Sequence, residues 1–171
     1  MAIRPSVIVV MGPAGAGKTT IGSRLARSLG WTYLEADDFH SQANKDRMRH
    51  GTPLTDADRA PWLASIREAL RKHIANGECV ILACSALKEE YRRSLVPSNA
   101  KRADVRFVYL RASAALLRDR LAHRVGHFAG PELVDSQLET LEEPPDALWV
   151  DASRRPDEIV AHIREAFALG S

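Results

Sequence analysis

Apolar residues in this chain fall into two alternating kinds of run. Short, uninterrupted stretches occur at Val7-Ile8-Val9-Val10-Met11, Cys79-Val80-Ile81-Leu82-Ala83-Cys84 and Val105-Arg106-Phe107-Val108-Tyr109-Leu110. They are too short for helices and rich in β-branched residues, the pattern of parallel strands covered on both faces. Trp31 to Ala36 and Ala147 to Asp151 have the same character. Between these runs the apolar positions recur at helical spacing. Ile21, Leu25, Ala26 and Leu29 precede Gly30; Leu63, Ile66, Leu70 and Ile74 precede Gly77; Leu116, Leu117 and Leu121 follow the fourth strand. Ile159, Val160, Ile163 and Phe167 follow Pro156, which suits a first helical turn. A polar helix or turn runs through Met48 to Gly51, and Glu132 to Leu141 is helical up to Pro144-Pro145. Thr55 with Asp58 forms a capping turn, and Pro61 fits the first turn of the helix beyond it. Strands alternating with helices predict a three-layer α/β/α sandwich on a five-stranded parallel sheet, as one domain over 1–171.

Composition adds bounds. The 171 residues are 45% apolar and 27% charged, with a net charge of +2, so neither nucleic acid nor a membrane surface is required as a partner. No apolar run approaches the length of a membrane span. Cys79 and Cys84 lie in one strand, where they do not readily pair, and reduced thiols of a cytoplasmic protein are expected. There is no internal repeat or low-complexity linker.

Between the first strand and first helix stands Gly12-Pro13-Ala14-Gly15-Ala16-Gly17-Lys18-Thr19, followed by Thr20. It fits G-x-x-x-x-G-K-[ST] at every fixed position and in the strand–loop–helix context of a phosphate-binding P-loop. Glycines let the backbone turn its N–H groups inward as an anion nest, and the helix N-terminus adds partial positive charge. Lys18 is placed for the β- and γ-phosphates and the Thr19 hydroxyl for Mg²⁺. The site predicts ATP and Mg²⁺ as cofactors in a P-loop NTPase fold.

The acceptor side is sought at the carboxyl ends of the other strands. Asp37 ends the second strand, where it can take a proton from an attacking hydroxyl or help hold Mg²⁺; a helix N-cap is the alternative. Asp38 is the better cap, and His40 is a candidate contact to a polar substrate. Arg59, in a charged turn with Asp56 and Asp58, can clamp a carboxylate or pair within the turn. Trp62 is expected in the core. Lys88 and Arg92, one helical turn apart, either meet an anionic substrate or are solvated. Arg120 and Arg124 share a helical face leading into a weakly patterned segment between Gly126 and Gly130. That segment, about 122–135, is expected to be a lid whose arginines stabilise a transferring phosphoryl group, a solvated basic face being the alternative.

Together these residues resemble the gluconokinases (gluconate kinases) of the shikimate-kinase-like P-loop group. The specific pieces are the P-loop, Asp37 with His40, Asn44 with Met48, and Gly51-x-Pro53-Leu54-x-Asp56-x-Asp58-Arg59-x-Pro61-Trp62-Leu63. Cys84-Ser85-Ala86-Leu87-Lys88 with Tyr91-Arg92, Gly126-His127-Phe128, Ser136-Gln137 and Leu141-Glu142-x-Pro144 complete the set. The resemblance implies ATP-dependent phosphorylation of D-gluconate at its 6-hydroxyl by a cytoplasmic, commonly homodimeric enzyme. It implies that Asp37, His40, Arg59, Lys88, Arg92 and His127 contact the sugar acid and that Arg120 and Arg124 are lid arginines. The chain departs from the family pattern at Thr19, Ala36, Ser41 and Val125, where Ser, Gly, Pro and Lys are frequent. Rival readings are a related kinase for another sugar acid, shikimate or a nucleoside monophosphate, and a nucleotide-binding switch. Asn44-Lys45-Asp46 places its aspartate one position too early for a GTPase base-binding motif.

Overall fold

In a computed structural model of the chain, which describes residues 5–124 and 132–170, the buried apolar runs form five parallel strands in the order β2-β3-β1-β4-β5. They are β1 (Val7–Met11), β2 (Thr32–Glu35), β3 (Val80–Ala83), β4 (Val105–Arg111) and β5 (Leu148–Asp151). The central β1 is wholly buried, and its alternating side chains feed two cores. Val7, Val9 and Met11 pack with Trp62, Leu63, Ile66 and Leu70 of α3 (Asp56–Ala75), and with Tyr91 of α4 (Glu89–Ser94). Ile8 and Val10 enter the other core. It is built with α1 (Lys18–Leu29), α5 (Ala114–Ala122), α6 (Glu132–Thr140) and α7 (Pro156–Ala166). The remaining helix, α2 (Gln42–Arg49), buries only Asn44. Burying each of these Val or Ile side chains contributes about 1.5–3 kcal/mol, so the sheet fixes the frame on which the loops sit.

The register brings the loops level. Val10 pairs with Ala83, and Ala83 pairs with Glu35. The residues that follow, at Gly12, Ser85 and Asp37, therefore emerge along one edge of the sheet, the position where open α/β sheets bind ligands.

Two local expectations change. The Thr55 capping box is present, with both reciprocal bonds to Asp58. Because that cap starts the helix at Asp56, Pro61 lies inside α3 and not in its first turn. Asp38 caps nothing: Ala36–Phe39 forms a 3-10 turn, and the cap of α2 is the Ser41 hydroxyl, which accepts from the Asn44 amide at 3.1 Å.

Candidate active site

Three glycines of the Gly12–Thr19 loop adopt the backbone that side chains resist. Gly12 and Gly15 have φ of +151° and +89°, and a Cβ on either would lie 3.0 Å from the Leu110 carbonyl or 3.2 Å from that of Leu117. Gly17, at φ 99°, is the N-cap of α1, and no side chain caps the helix there. Its first-turn N–H groups and dipole are thus left for an anion. Lys18 Nζ donates to the Pro13 carbonyl at 3.0 Å. Burial lowers the Lys18 pKa, a shift opposed by Asp37, Cys84 and Glu35 and reinforced by Arg124. Arriving phosphates would restore its affinity for the proton. The neighbouring Cys84 is fully buried and its thiol is pushed up to about 12 by desolvation, so it stays protonated at neutral pH.

The outer side of the loop is gripped by side chains from much later in the chain. Arg120 donates to the carbonyls of Gly15 at 3.2 Å and Ala16 at 3.0 Å, and to that of Ala152 at 2.7 Å. The expected lid arginine is thus engaged with main-chain carbonyls, on α5, because the loop's outward carbonyls need donors. Gln137 of α6 accepts the Ala14 N–H at 2.6 Å. Arg124, just beyond α5, is exposed and lies close enough to Lys18 to act on its charge.

At the end of β2, Glu35 was not singled out by its sequence position, which looks like strand. Its Oε2 accepts from the Thr19 hydroxyl at 2.8 Å and from the Tyr33 hydroxyl at 2.5 Å. Burial, followed by the bond to Glu35, raises the Tyr33 pKa, so Tyr33 remains a donor. Thr19 and Glu35 together offer hard oxygen donors, the set that suits Mg²⁺, which takes few protein ligands and keeps water and phosphate oxygens. Two residues on, Asp37 is exposed and heads the charges that favour protonated Lys18.

The turn carrying Asp37 is anchored from below. The Trp62 indole N–H donates to the Ala36 carbonyl at 2.7 Å, and its ring stacks on His40 with centroids 4.2 Å apart and planes 9° from parallel. His40 is only 8% exposed. Its Nδ1 lies 3.5 Å from the Asn44 amide, which also donates to the Asp58 carbonyl. Burial lowers the His40 pKa, with Asp37 opposing and Arg59 and Lys45 adding to the shift.

Beside this turn, charged residues converge on Tyr91. Its hydroxyl donates to Asp56 at 2.5 Å and accepts from Arg59 at 3.3 Å. Arg59 and Lys88 each stand 5.5 Å from the centre of the Tyr91 ring, and Lys88 lies 3.5 Å from Asp56. Arg59 also donates to the Leu54 carbonyl. Tyr91 and then Asp56 raise the Lys88 pKa, while hydrogen bonding from Tyr91 lowers that of Asp56. Asp58 is the third-residue partner of Thr55 in the α3 capping box and pairs with Arg47.

Arg92 differs from both of its expected roles. Its side chain is 1% exposed and donates to the carbonyls of Ala86 at 2.7 Å and Glu142 at 2.9 Å. It is neither solvated nor turned toward the Tyr91 cluster, because Lys88 precedes α4 as its N-cap and the two do not share a helical face. Thr20 is exposed in the first turn of α1. The residues Val125, Gly126, His127, Phe128 and Gly130, with half of the proposed lid, lie outside the described residues. Tyr91, Glu35 and Gln137 are the side chains at the site that sequence reasoning gave no role. Ser136-Gln137 was visible as a motif; Glu35 gave no signal beyond standing next to the Asp37 turn.

The chain as a whole is similar to known proteins. A family model described as AAA domain matches residues 7–144. The gluconokinase of Gluconobacter oxydans is 42% identical, over 98% of this chain and 94% of its own length. The chain belongs to the gluconokinase family. Another member, the Arabidopsis thaliana gluconokinase, is 40% identical, over 95% of this chain and 92% of its own. The crystal structure of a gluconokinase from Sinorhizobium meliloti 1021 superposes with a TM-score of 0.84 at 40% identity, covering 96% of this chain and 93% of that one. Membership in the gluconokinase family makes the protein a P-loop phosphotransferase and agrees with the five-stranded sheet described above.

Proposed function

We propose that this protein phosphorylates D-gluconate at its 6-hydroxyl with ATP, giving 6-phosphogluconate and ADP. The observation that carries this reading is the emergence of the P-loop and Asp37 from the same end of the sheet, with Asp37 heading the charges that favour protonated Lys18, in a chain of the gluconokinase family. The inward N–H groups of the P-loop, the N-terminus of α1 and Lys18 bind the triphosphate. Thr19 and Glu35 would hold Mg²⁺, which neutralises charge on the phosphates and orients them. Asp37 positions the acceptor hydroxyl and takes its proton as the bond to phosphorus forms. Arg59 and Lys88, gathered by Tyr91 and Asp56, bind the sugar-acid carboxylate, and the buried His40 completes the polar wall. Arg124 faces the transferring phosphoryl group, while Arg120 holds the loop in shape and Arg92 braces the strand β3 loop. His127 is assigned to the acceptor side by the family pattern. We assign the chain to a single domain acting as a cytoplasmic homodimer, with the expected 122–135 lid narrowed to the stretch between α5 and α6, because Val134 of α6 is packed in the core.

The test is ADP release measured side by side with gluconate, shikimate and nucleoside monophosphates, with Mg²⁺ varied. Gluconate-dependent, Mg²⁺-requiring turnover is expected. Turnover with a different acceptor, or nucleotide binding with no acceptor-dependent turnover, overturns the assignment.

A further inference from the structure

The Pro13–Ala14 peptide is held at both ends. Its carbonyl accepts from Lys18 Nζ at 3.0 Å, and its N–H donates to Gln137 Oε1 at 2.6 Å. No peptide bond among the described residues is cis, and in a planar trans unit the C=O and N–H point in opposite directions. Lys18, the first residue of α1, and Gln137 therefore hold opposite sides of this peptide, a near side at the start of α1 and a far side gripped by Gln137. The Ala16 N–H also donates to the Pro13 carbonyl, at 3.1 Å, so the near side carries a turn bond besides the lysine. The far side has the Gln137 contact.

We infer that Gln137 is a positioning residue for Lys18: by fixing the Ala14 N–H it aims the Pro13 carbonyl, and with it the lysine ammonium, at the phosphates. The support beneath Gln137 is rigid. Val134, one turn earlier on α6, is 1% exposed in the core that also holds Leu117 and Leu121 of α5. Arg118 and Asp135 pair across α5 and α6. Leu138 and Ala14 pack against that same core. The Gln137 amide is thus carried on a helix seated against α5, the helix whose Arg120 grips the Gly15 and Ala16 carbonyls of the loop. Lys18 is 119 residues from Gln137 in sequence, yet one peptide plane separates their polar atoms (137 − 18 = 119).

The inference rests on the kinase reading above, which wild-type turnover with gluconate tests by itself. The decisive comparison is wild type, Gln137→Met and Gln137→Glu, each with steady-state kinetics and a thermal unfolding curve. Methionine keeps the length and removes the acceptor; glutamate keeps an acceptor oxygen. The expected result for Gln137→Met is a kcat about three- to tenfold lower, the value of one net hydrogen bond, with the gluconate KM and the melting temperature unchanged. Gln137→Glu is expected to recover most of that rate. An unchanged kcat in folded Gln137→Met overturns the inference, as does Gln137→Glu being as slow as Gln137→Met. A readout independent of turnover is the rate at which an amine-reactive label modifies Lys18, followed by mass spectrometry. It is expected to rise in Gln137→Met and return toward wild type in Gln137→Glu; equal labelling in all three proteins overturns the inference even where no acceptor is turned over.

Discussion

The Thr19 hydroxyl donates to the Glu35 carboxylate at 2.8 Å, joining the last residue of the P-loop to the last residue of β2. Glu35 Oε2 takes a second donor from Tyr33, so the carboxylate is held in a fixed orientation beside the hydroxyl proposed to bind Mg²⁺. Residues that orient a metal's surroundings typically alter affinity or activity by about 10–100-fold when changed. Glu35→Gln is therefore expected to raise the Mg²⁺ concentration needed for half-maximal rate by about that factor, while ATP-free stability changes little. A Mg²⁺ titration of initial rates checks this. A variant with the wild-type Mg²⁺ dependence removes Glu35 from the metal's surroundings.

Asp37 is exposed and its carboxylate accepts no hydrogen bond among the described residues, so its replacement isolates chemistry from folding. Asp37→Asn is expected to lower kcat about 10²–10⁴-fold, the range for loss of a general base, with an unchanged unfolding curve. Coupled ADP release with gluconate measures it. Turnover near the wild-type rate would remove Asp37 from proton transfer.

His40 gives a pH dependence to stability. Burial holds its folded-state pKa below the usual 6.5, with Arg59 and Lys45 adding to the shift and Asp37 opposing it. Between that lowered value and about 6.5 the unfolded chain binds more protons than the folded one, so stability rises with pH across this window. The contribution is fully present above about pH 6.5 and is lost as pH falls through the folded-state pKa. His40→Phe retains a ring on Trp62 and is expected to flatten this segment in urea melts taken between pH 5 and 7. An identical slope in both proteins rules out His40 as its source.

Lys88 and Arg92 are separated by burial. Removing the Arg92 guanidinium leaves the Ala86 and Glu142 carbonyls without their donor and takes a buried cation from Glu89. Arg92→Met is expected to cost about 3 kcal/mol in denaturant unfolding. Lys88→Met is expected to leave stability within about 0.5 kcal/mol and to raise the gluconate KM. A matched pair of unfolding curves and gluconate titrations reads both; a stability loss confined to Lys88→Met would reverse the two assignments.

The strands were legible because β-branched runs admit few other structures, and the P-loop because its glycines answer a steric demand that is visible at Gly12 and Gly15. Asp37 was legible from topology, since strand ends of a parallel sheet converge. Arg92 and Arg120 were not. Helical spacing says which residues share a face only once the helix boundary is known, and α4 begins one residue after Lys88. Nothing local marks Arg120 as the partner of a carbonyl at position 152. Glu35 was hidden because nothing in the spelling of a strand's final residue marks it as the acceptor of the Thr19 hydroxyl. The Pro61 expectation failed for a related reason: a capping box opening six residues upstream, at Thr55, set the start of the helix.

Arg120 ties the loop to Ala152, and Gln137 ties it to α6. The nucleotide motif lies at positions 12–19, yet the side chains that brace it come 104 to 123 residues further along the chain. A nascent chain on the ribosome carries the complete P-loop spelling long before it can present the braced loop. Nucleotide retention during translation should accordingly appear only after residue 152 has cleared the exit tunnel, which makes the first bound triphosphate a report that the rest of the fold is in place.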